Sequence, residues 1–138
     1  KKIYNDMLNA RAIGFEKAKP GVKCSELDIE IKKYLKDLGY EDYLLHRTGH
    51  GLGLGAHEGP WIAEGSEDVL QENMVISIEP GIYIPEIGGF RQSDTVLITK
   101  EGNKSLTKYP DDLQSLTITA LKPFKKIKGK IIRRVIGI

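Results

Sequence analysis

The order in which two periodicities follow one another constrains this chain most. Up to Leu38 the apolar residues recur at helical spacing. From Met74 onward, short β-branched runs are separated by glycine and proline turns. Helices followed by strands, without strand–helix–strand alternation, predict an α+β fold with an antiparallel sheet. The first helix is expected from Ile3 to Lys17, with Ile3, Tyr4, Met7 and Leu8 inward, Phe15 on the flank, and Arg11 and Lys17 toward solvent. Lys19-Pro20-Gly21 stops it, because proline lacks a donor and restricts its predecessor. Ser25-Glu26-Leu27-Asp28 reads as a cap in which the Ser25 hydroxyl accepts a first-turn amide. Leu27, Ile31, Tyr34, Leu35 and Leu38 then form an apolar stripe, closed by Gly39. Downstream, an extended run from Val75 to Ile84 bends at Pro80-Gly81, and Gly88-Gly89 turns the chain back. Thr95–Thr99 follows, and Lys100–Asn103 is a hairpin turn into Lys104–Thr107.

The most concentrated chemistry lies between the helices and the strands. All three histidines, His46, His50 and His57, fall between residues 46 and 57, interleaved with Gly49, Gly51, Gly53 and Gly55. Glycine allows close backbone approach, and imidazole is the commonest nitrogen ligand for metals. No glycine fingerprint opens a helix after a strand, so a nucleotide loop is not indicated. In Val75-Ile76-Ser77-Ile78-Glu79, strand alternation puts Val75, Ser77 and Glu79 on one face. A carboxylate ending such a face is costly to bury unless it is paired or metal-bound. Two plainer readings stand beside a metal or catalytic site: an irregular glycine-rich loop, and a strand that simply surfaces at Glu79.

Length and charge set the outer bounds. At 138 residues, 40% hydrophobic and 29% charged, the chain suits one domain with a single core. No apolar run approaches the ~18 residues of a membrane span, and the first residues lack the apolar centre of a signal peptide. Cys24 is alone and forms no internal disulfide. These features predict a cytoplasmic protein with no membrane partner. The stretch 121–138 carries basic residues and no acidic ones, and reads as an extension to a domain spanning 1–120. Phe124 is its only aromatic residue, so nucleic acid is not the expected partner.

Four motifs in order carry a family resemblance: Lys19-Pro20-Gly21-Val22, His46-Arg47-Thr48-Gly49-His50-Gly51, His57-Glu58-Gly59-Pro60 and Ile78-Glu79-Pro80-Gly81-Ile82-Tyr83. The chain resembles the C-terminal half of the pita-bread metallopeptidases, the group of methionine aminopeptidase, aminopeptidase P and prolidase, and within it the Xaa-Pro dipeptidase branch. The resemblance runs from the first helix to about Ile118. It implies a curved antiparallel sheet flanked by helices, and hydrolysis of short peptides with proline in second position.

The resemblance also implies roles, residue by residue. His50 and Glu79 match metal ligands of a dinuclear Mn/Co/Zn-type site. His57 matches the histidine that contacts substrate and stabilises the tetrahedral intermediate. His46 matches a pocket position, and Arg91 an arginine beside the last metal-binding carboxylate. That carboxylate is replaced: in Arg91-Gln92-Ser93-Asp94-Thr95, Ser93 stands where the family carries glutamate. The two aspartate ligands of the family lie before the first helix. The chain is therefore expected to be one half of the fold, inactive alone, and to form homo-oligomers. Ser93 keeps two alternatives open: a metal-free hydrolase resembling creatinase, and a non-catalytic peptide- or protein-binding module.

Overall fold

A computed structural model describes residues 1–118. The expected basic extension, and with it the end of the 1–120 domain, lies outside the described residues. Helices α1 (Lys2–Lys17) and α2 (Cys24–Asp37) come first. A 3-10 turn at Glu41–Tyr43 leads to strands β1 (Gly49–Gly51), β2 (Glu58–Ile62), β3 (Val75–Ile78), β4 (Gly81–Ile84), β5 (Gly88–Arg91), β6 (Asp94–Thr99) and β7 (Gly102–Ser105), and to the short helix α3 (Leu113–Leu116). The α+β order is the expected one.

Five strands form an antiparallel sheet in the order β2-β1-β3-β6-β7, while β4 and β5 pair as a separate ribbon. The break falls at Glu79-Pro80, between β3 and β4, where proline cannot extend the ladder. β6 shows the period-2 pattern clearly: Asp94, Val96 and Ile98 are buried and alternate with half-buried residues. Register pairs Ile76 with Val96 and Ile78 with Asp94, so these side chains share one face. The helices cover it. Met7 and Ala10 of α1 and Leu27, Ile31 and Leu35 of α2 bury with Ile62, Ile76, Ile78, Ile82, Val96 and Ile98 in one core. Gly14 permits a close approach of α1 to β3, since a Cβ there would lie 2.8 Å from Ile78 Cγ2. His50, paired in register with Trp61, and Ser77 project from the opposite face. Packing helices on one face thus leaves the other free for chemistry.

Several local expectations are corrected. Arg11 is not a solvent residue. Its guanidinium donates to Asp94 Oδ1 at 2.8 Å and Asp111 Oδ2 at 2.8 Å, and lies over the Phe15 ring. Ser25 does not cap α2: the helix begins at Cys24, two residues earlier than a Ser25 cap requires, its N-cap is Lys23 and no side chain bonds the first turn. The Cys24 amide instead donates to the Asp68 carbonyl at 2.8 Å, because the residues before the helix pair with the strand-like segment at Val69. Leu38 caps the C-terminus of α2 and is exposed, and Tyr34 is only half-buried, so the stripe reduces to Leu27, Ile31 and Leu35. Gly39 does take a left-handed conformation, with φ 85°. The ribbon turns at Pro85-Glu86-Ile87, since Ile84 already pairs with Gly88. The last hairpin turns on Lys100-Glu101 alone, which moves β7 two residues earlier than expected.

Candidate active site

β1 is only Gly49-His50-Gly51, yet it sits between β2 and β3. Both glycines are sterically required there. A Cβ on Gly49 would lie 2.1 Å from the Ser77 carbonyl oxygen, and one on Gly51 would lie 2.0 Å from the Gly59 carbonyl oxygen. Two neighbouring backbones can therefore close on His50, which is 4% exposed and donates its amide to Ser77 Oγ at 3.0 Å. On the imidazole, Nδ1 lies 2.8 Å from the Gly51 carbonyl oxygen. A carbonyl only accepts, so Nδ1 carries a proton. Nε2 then points at Glu79 Oε1, 3.2 Å away.

Glu79 is held just past the end of β3 by its amide, which donates to the Thr48 carbonyl at 2.8 Å. Its second oxygen, Oε2, accepts from Ser93 Oγ at 3.2 Å and has Arg91 Nη1 at 3.9 Å. The free oxygen is thus the one that faces His50. In the neutral ring Nε2 is an acceptor, so two acceptors confront each other and need a proton or a cation between them. The pair fits as two members of a metal ligand set: a nitrogen oriented by the hydrogen bond on its far side and an anionic oxygen. Among the described residues no group of three histidine, cysteine or acidic side chains closes around a cation.

His57 joins this pair. Its exposed ring lies 4.4 Å, centroid to centroid, from that of His50. The loop before it is pinned by Glu58, whose Oε2 accepts from the Gly55 amide at 2.8 Å. Arg91, half-exposed at the end of β5, reaches the same carboxylate. His46 is placed differently. Its Nδ1 lies 2.6 Å from the Arg47 carbonyl oxygen and its Nε2 2.9 Å from the Tyr83 hydroxyl, so both ring nitrogens are engaged. His46 therefore orients Tyr83, and the two rings meet edge to face at 5.3 Å. Asp94 faces away from Glu79, on the helix side of the sheet, where Arg11 binds it.

Four residues to which the sequence assigned no role in the site also shape it. Asp28, fully buried in α2, accepts at Oδ1 from the Thr48 amide and hydroxyl, each at 2.9 Å, and at Oδ2 from the Glu64 amide at 2.9 Å. One carboxylate thus ties both ends of the β1–β2 segment to the helix. Tyr83 engages His46. Trp61, opposite His50 on β2, has its ring 6.5 Å from the imidazole and carries the Arg47 guanidinium 4.4 Å above it. Arg47 Nε is buried without a hydrogen-bond partner among the described residues. Asp28 lay inside a motif that resembled cap chemistry; Arg47 and Tyr83 lay inside the family motifs with no role assigned, and Trp61 in none. The other three are aromatic or basic residues of strands and loops, whose roles appear only across strands.

Known proteins resemble this chain in sequence and fold. Residues 1–100 match metallopeptidase family M24. The chain is 50% identical over 113 residues to the Xaa-Pro dipeptidase of Pyrococcus furiosus, covering 82% of the chain and 32% of that protein. It is 43% identical over 118 residues to the Xaa-Pro dipeptidase of Lactobacillus delbrueckii subsp. lactis, covering 86% of the chain and 32% of that protein. The crystal structure of the prolidase from Pyrococcus horikoshii superposes with a TM-score of 0.79 at 49% identity, covering 81% of this chain and 32% of that one. An X-Pro aminopeptidase from Thermotoga maritima gives 0.77 at 33% identity, covering 80% and 32%. The chain therefore spans about a third of the length of these relatives.

Proposed function

The chain belongs to metallopeptidase family M24, with a fold that is part of the pita-bread fold, and from that premise we propose that the full-length protein hydrolyses short peptides with proline in second position. The observation that carries this reading is the facing of His50 Nε2 and Glu79 Oε1 at 3.2 Å, with Nδ1 anchored on Gly51. A divalent cation supplies carbonyl polarisation and a water of lowered pKa when bound. His50 and Glu79 would hold it as members of a Mn/Co/Zn-type dinuclear site, in which Ser93 stands at the family's last carboxylate position. The Gly51 carbonyl keeps the imidazole in one tautomer and one orientation. His57, beside His50 and open to solvent, donates to the oxyanion that develops on the scissile carbonyl. Arg91 positions substrate next to Glu79, and the His46–Tyr83 pair walls the pocket. The metallopeptidase domain is read as residues 1–120 with a basic extension at 121–138, acting as a homo-oligomer in the cytoplasm. Among the described residues, no helix is long and apolar enough to cross a membrane.

Ser93 favours a competing reading, a metal-free hydrolase or a binding module, because its hydroxyl donates to Glu79 and supplies no anionic oxygen. Metal content separates the two. In the full-length protein, wild type is expected to retain divalent metal after desalting and to cleave an Xaa-Pro dipeptide. His50→Ala is expected to lose both. His57→Ala is expected to keep its metal and lose about 10²–10³ in kcat, with little change in substrate affinity. Equal metal content in wild type and His50→Ala would end the metallopeptidase reading.

A further inference from the structure

Arg11 lies on the helix side of the sheet, away from His50, yet its partner is one residue from a group that touches Glu79. Its Nε and Nη2 donate in parallel to the two oxygens of Asp94, while Nη1 donates to Asp111 Oδ2. The Asp94 side chain is 1% exposed and that of Arg11 18%. A carboxylate so deeply buried is tolerated only with a partner, and a two-bond fork fixes its direction as well as its charge. From Arg91 to Ile98 burial alternates. Arg91 and Ser93 are open to solvent, whereas Gln92, Asp94, Val96 and Ile98 are buried, and of these four only Asp94 is ionisable.

That alternation reaches the site. Arg91 Nη1 and Ser93 Oγ, both from the outward set, stand 3.9 and 3.2 Å from Glu79 Oε2. They leave Oε1 to face His50 Nε2 at 3.2 Å. Asp94 also pairs in register with Ile78, the residue before Glu79. Because side chains alternate along a strand, turning Asp94 outward would carry Ser93 and Arg91 off the Glu79 face. We propose that Arg11 is a positioning residue of the site: by fixing Asp94 on the helix side, it presents Ser93 and Arg91 to Glu79 and so directs the other carboxylate oxygen at His50. The use of that arrangement in holding a cation rests on the peptidase reading of the preceding subsection; the placement of Ser93 does not.

The first measurement is amide hydrogen exchange, read by mass spectrometry on the metal-free full-length protein. Arg11→Gln is expected to speed exchange across residues 91–95 by about 10- to 100-fold, because a buried carboxylate has lost its partner. The α2 amides change far less. Arg11→Lys shows a smaller rise, since the charge remains but the planar fork is lost, and it carries the test if Arg11→Gln does not fold. Asp111→Asn, which leaves the Arg11–Asp94 pair in place, matches wild type over 91–95. The second measurement is divalent-metal affinity by competition with a chelator. Arg11→Gln weakens it by about 10- to 100-fold, and by less in a Ser93→Ala background, because the two changes act through one contact. Faster exchange over 91–95 in a protein whose wild type binds no metal would uphold the placement and end the metallopeptidase reading instead. The proposal is overturned if exchange over 91–95 in the folded Arg11 variants matches wild type, rises no more than in α2, or rises as much in Asp111→Asn. It is equally overturned if Arg11→Gln costs the same metal affinity with and without the Ser93 hydroxyl.

Discussion

Replacing Asp28 by asparagine removes a charge and exchanges one acceptor for a donor at constant size. Oδ1 can keep its two bonds from Thr48, but the amide nitrogen then meets the Glu64 amide and the Lys32 ammonium, both now 2.9 Å from Oδ2. Two bonds to a charged acceptor are lost, each worth about 1.5–3 kcal/mol. Lys32 is partly exposed and can turn to water, which discounts its share. The expected loss is about 3 kcal/mol. With a urea m-value of about 2 kcal/mol per M, the unfolding midpoint of the full-length protein falls by roughly 1.5 M. Lys32→Ala, which leaves the buried backbone bonds intact, is expected to shift it by less than about 0.5 M. The functional consequence follows from position. Thr48 and Glu64 bracket the segment bearing His50, His57 and Trp61, so Asp28→Asn is also expected to weaken metal retention at temperatures where the protein remains folded. A midpoint within about 0.5 M of wild type, or a larger effect from Lys32→Ala, would refute the assignment of Asp28 as the tie between helix and site.

Gly49→Ala places a Cβ 2.1 Å from the Ser77 carbonyl oxygen, so β1 and β3 must part. A destabilisation of about 3 kcal/mol, read by urea unfolding, should accompany metal loss although His50 is untouched; wild-type metal retention in the folded variant would count against the close-approach argument. Burial, with a smaller contribution from Asp68, pushes the Cys24 thiol from 9.0 up to about 11. The unfolded chain therefore loses this proton first, and stability contributed by the neutral thiol is lost as pH rises from about 9 to about 11. Cys24→Ala should flatten that alkaline decline, and mass-spectrometric labelling of the Cys24 peptide in the native protein at pH 8 should be negligible. Rapid labelling would show that the helix start opens more readily than its packing indicates.

Local chemistry made much of this protein legible in its sequence. The helical stretches, the bend at Pro80-Gly81 and the two-glycine frame of His50 depend on residues a few positions apart, and they appear in the structure with small shifts of boundary. The convergence of His50 and Glu79 was also foreseeable, through motif resemblance and through a carboxylate ending a strand that is otherwise apolar apart from Ser77. Tertiary structure decided the rest. Arg11 occupies a polar position of an amphipathic helix by any local reading, but Asp94 and Asp111, 83 and 100 residues away, turn it inward. Asp28 looked like part of a cap until Thr48 and Glu64, 20 and 36 residues on, supplied its donors. Asp94 adjoins the site in sequence, yet strand alternation and Arg11 place it on the helix side, leaving Ser93 beside Glu79. Arg47 and Trp61 come together only because β1 and β2 pair. Periodicity records which side of its own element a residue favours; a buried charge takes its place from the partner that the rest of the fold brings to it.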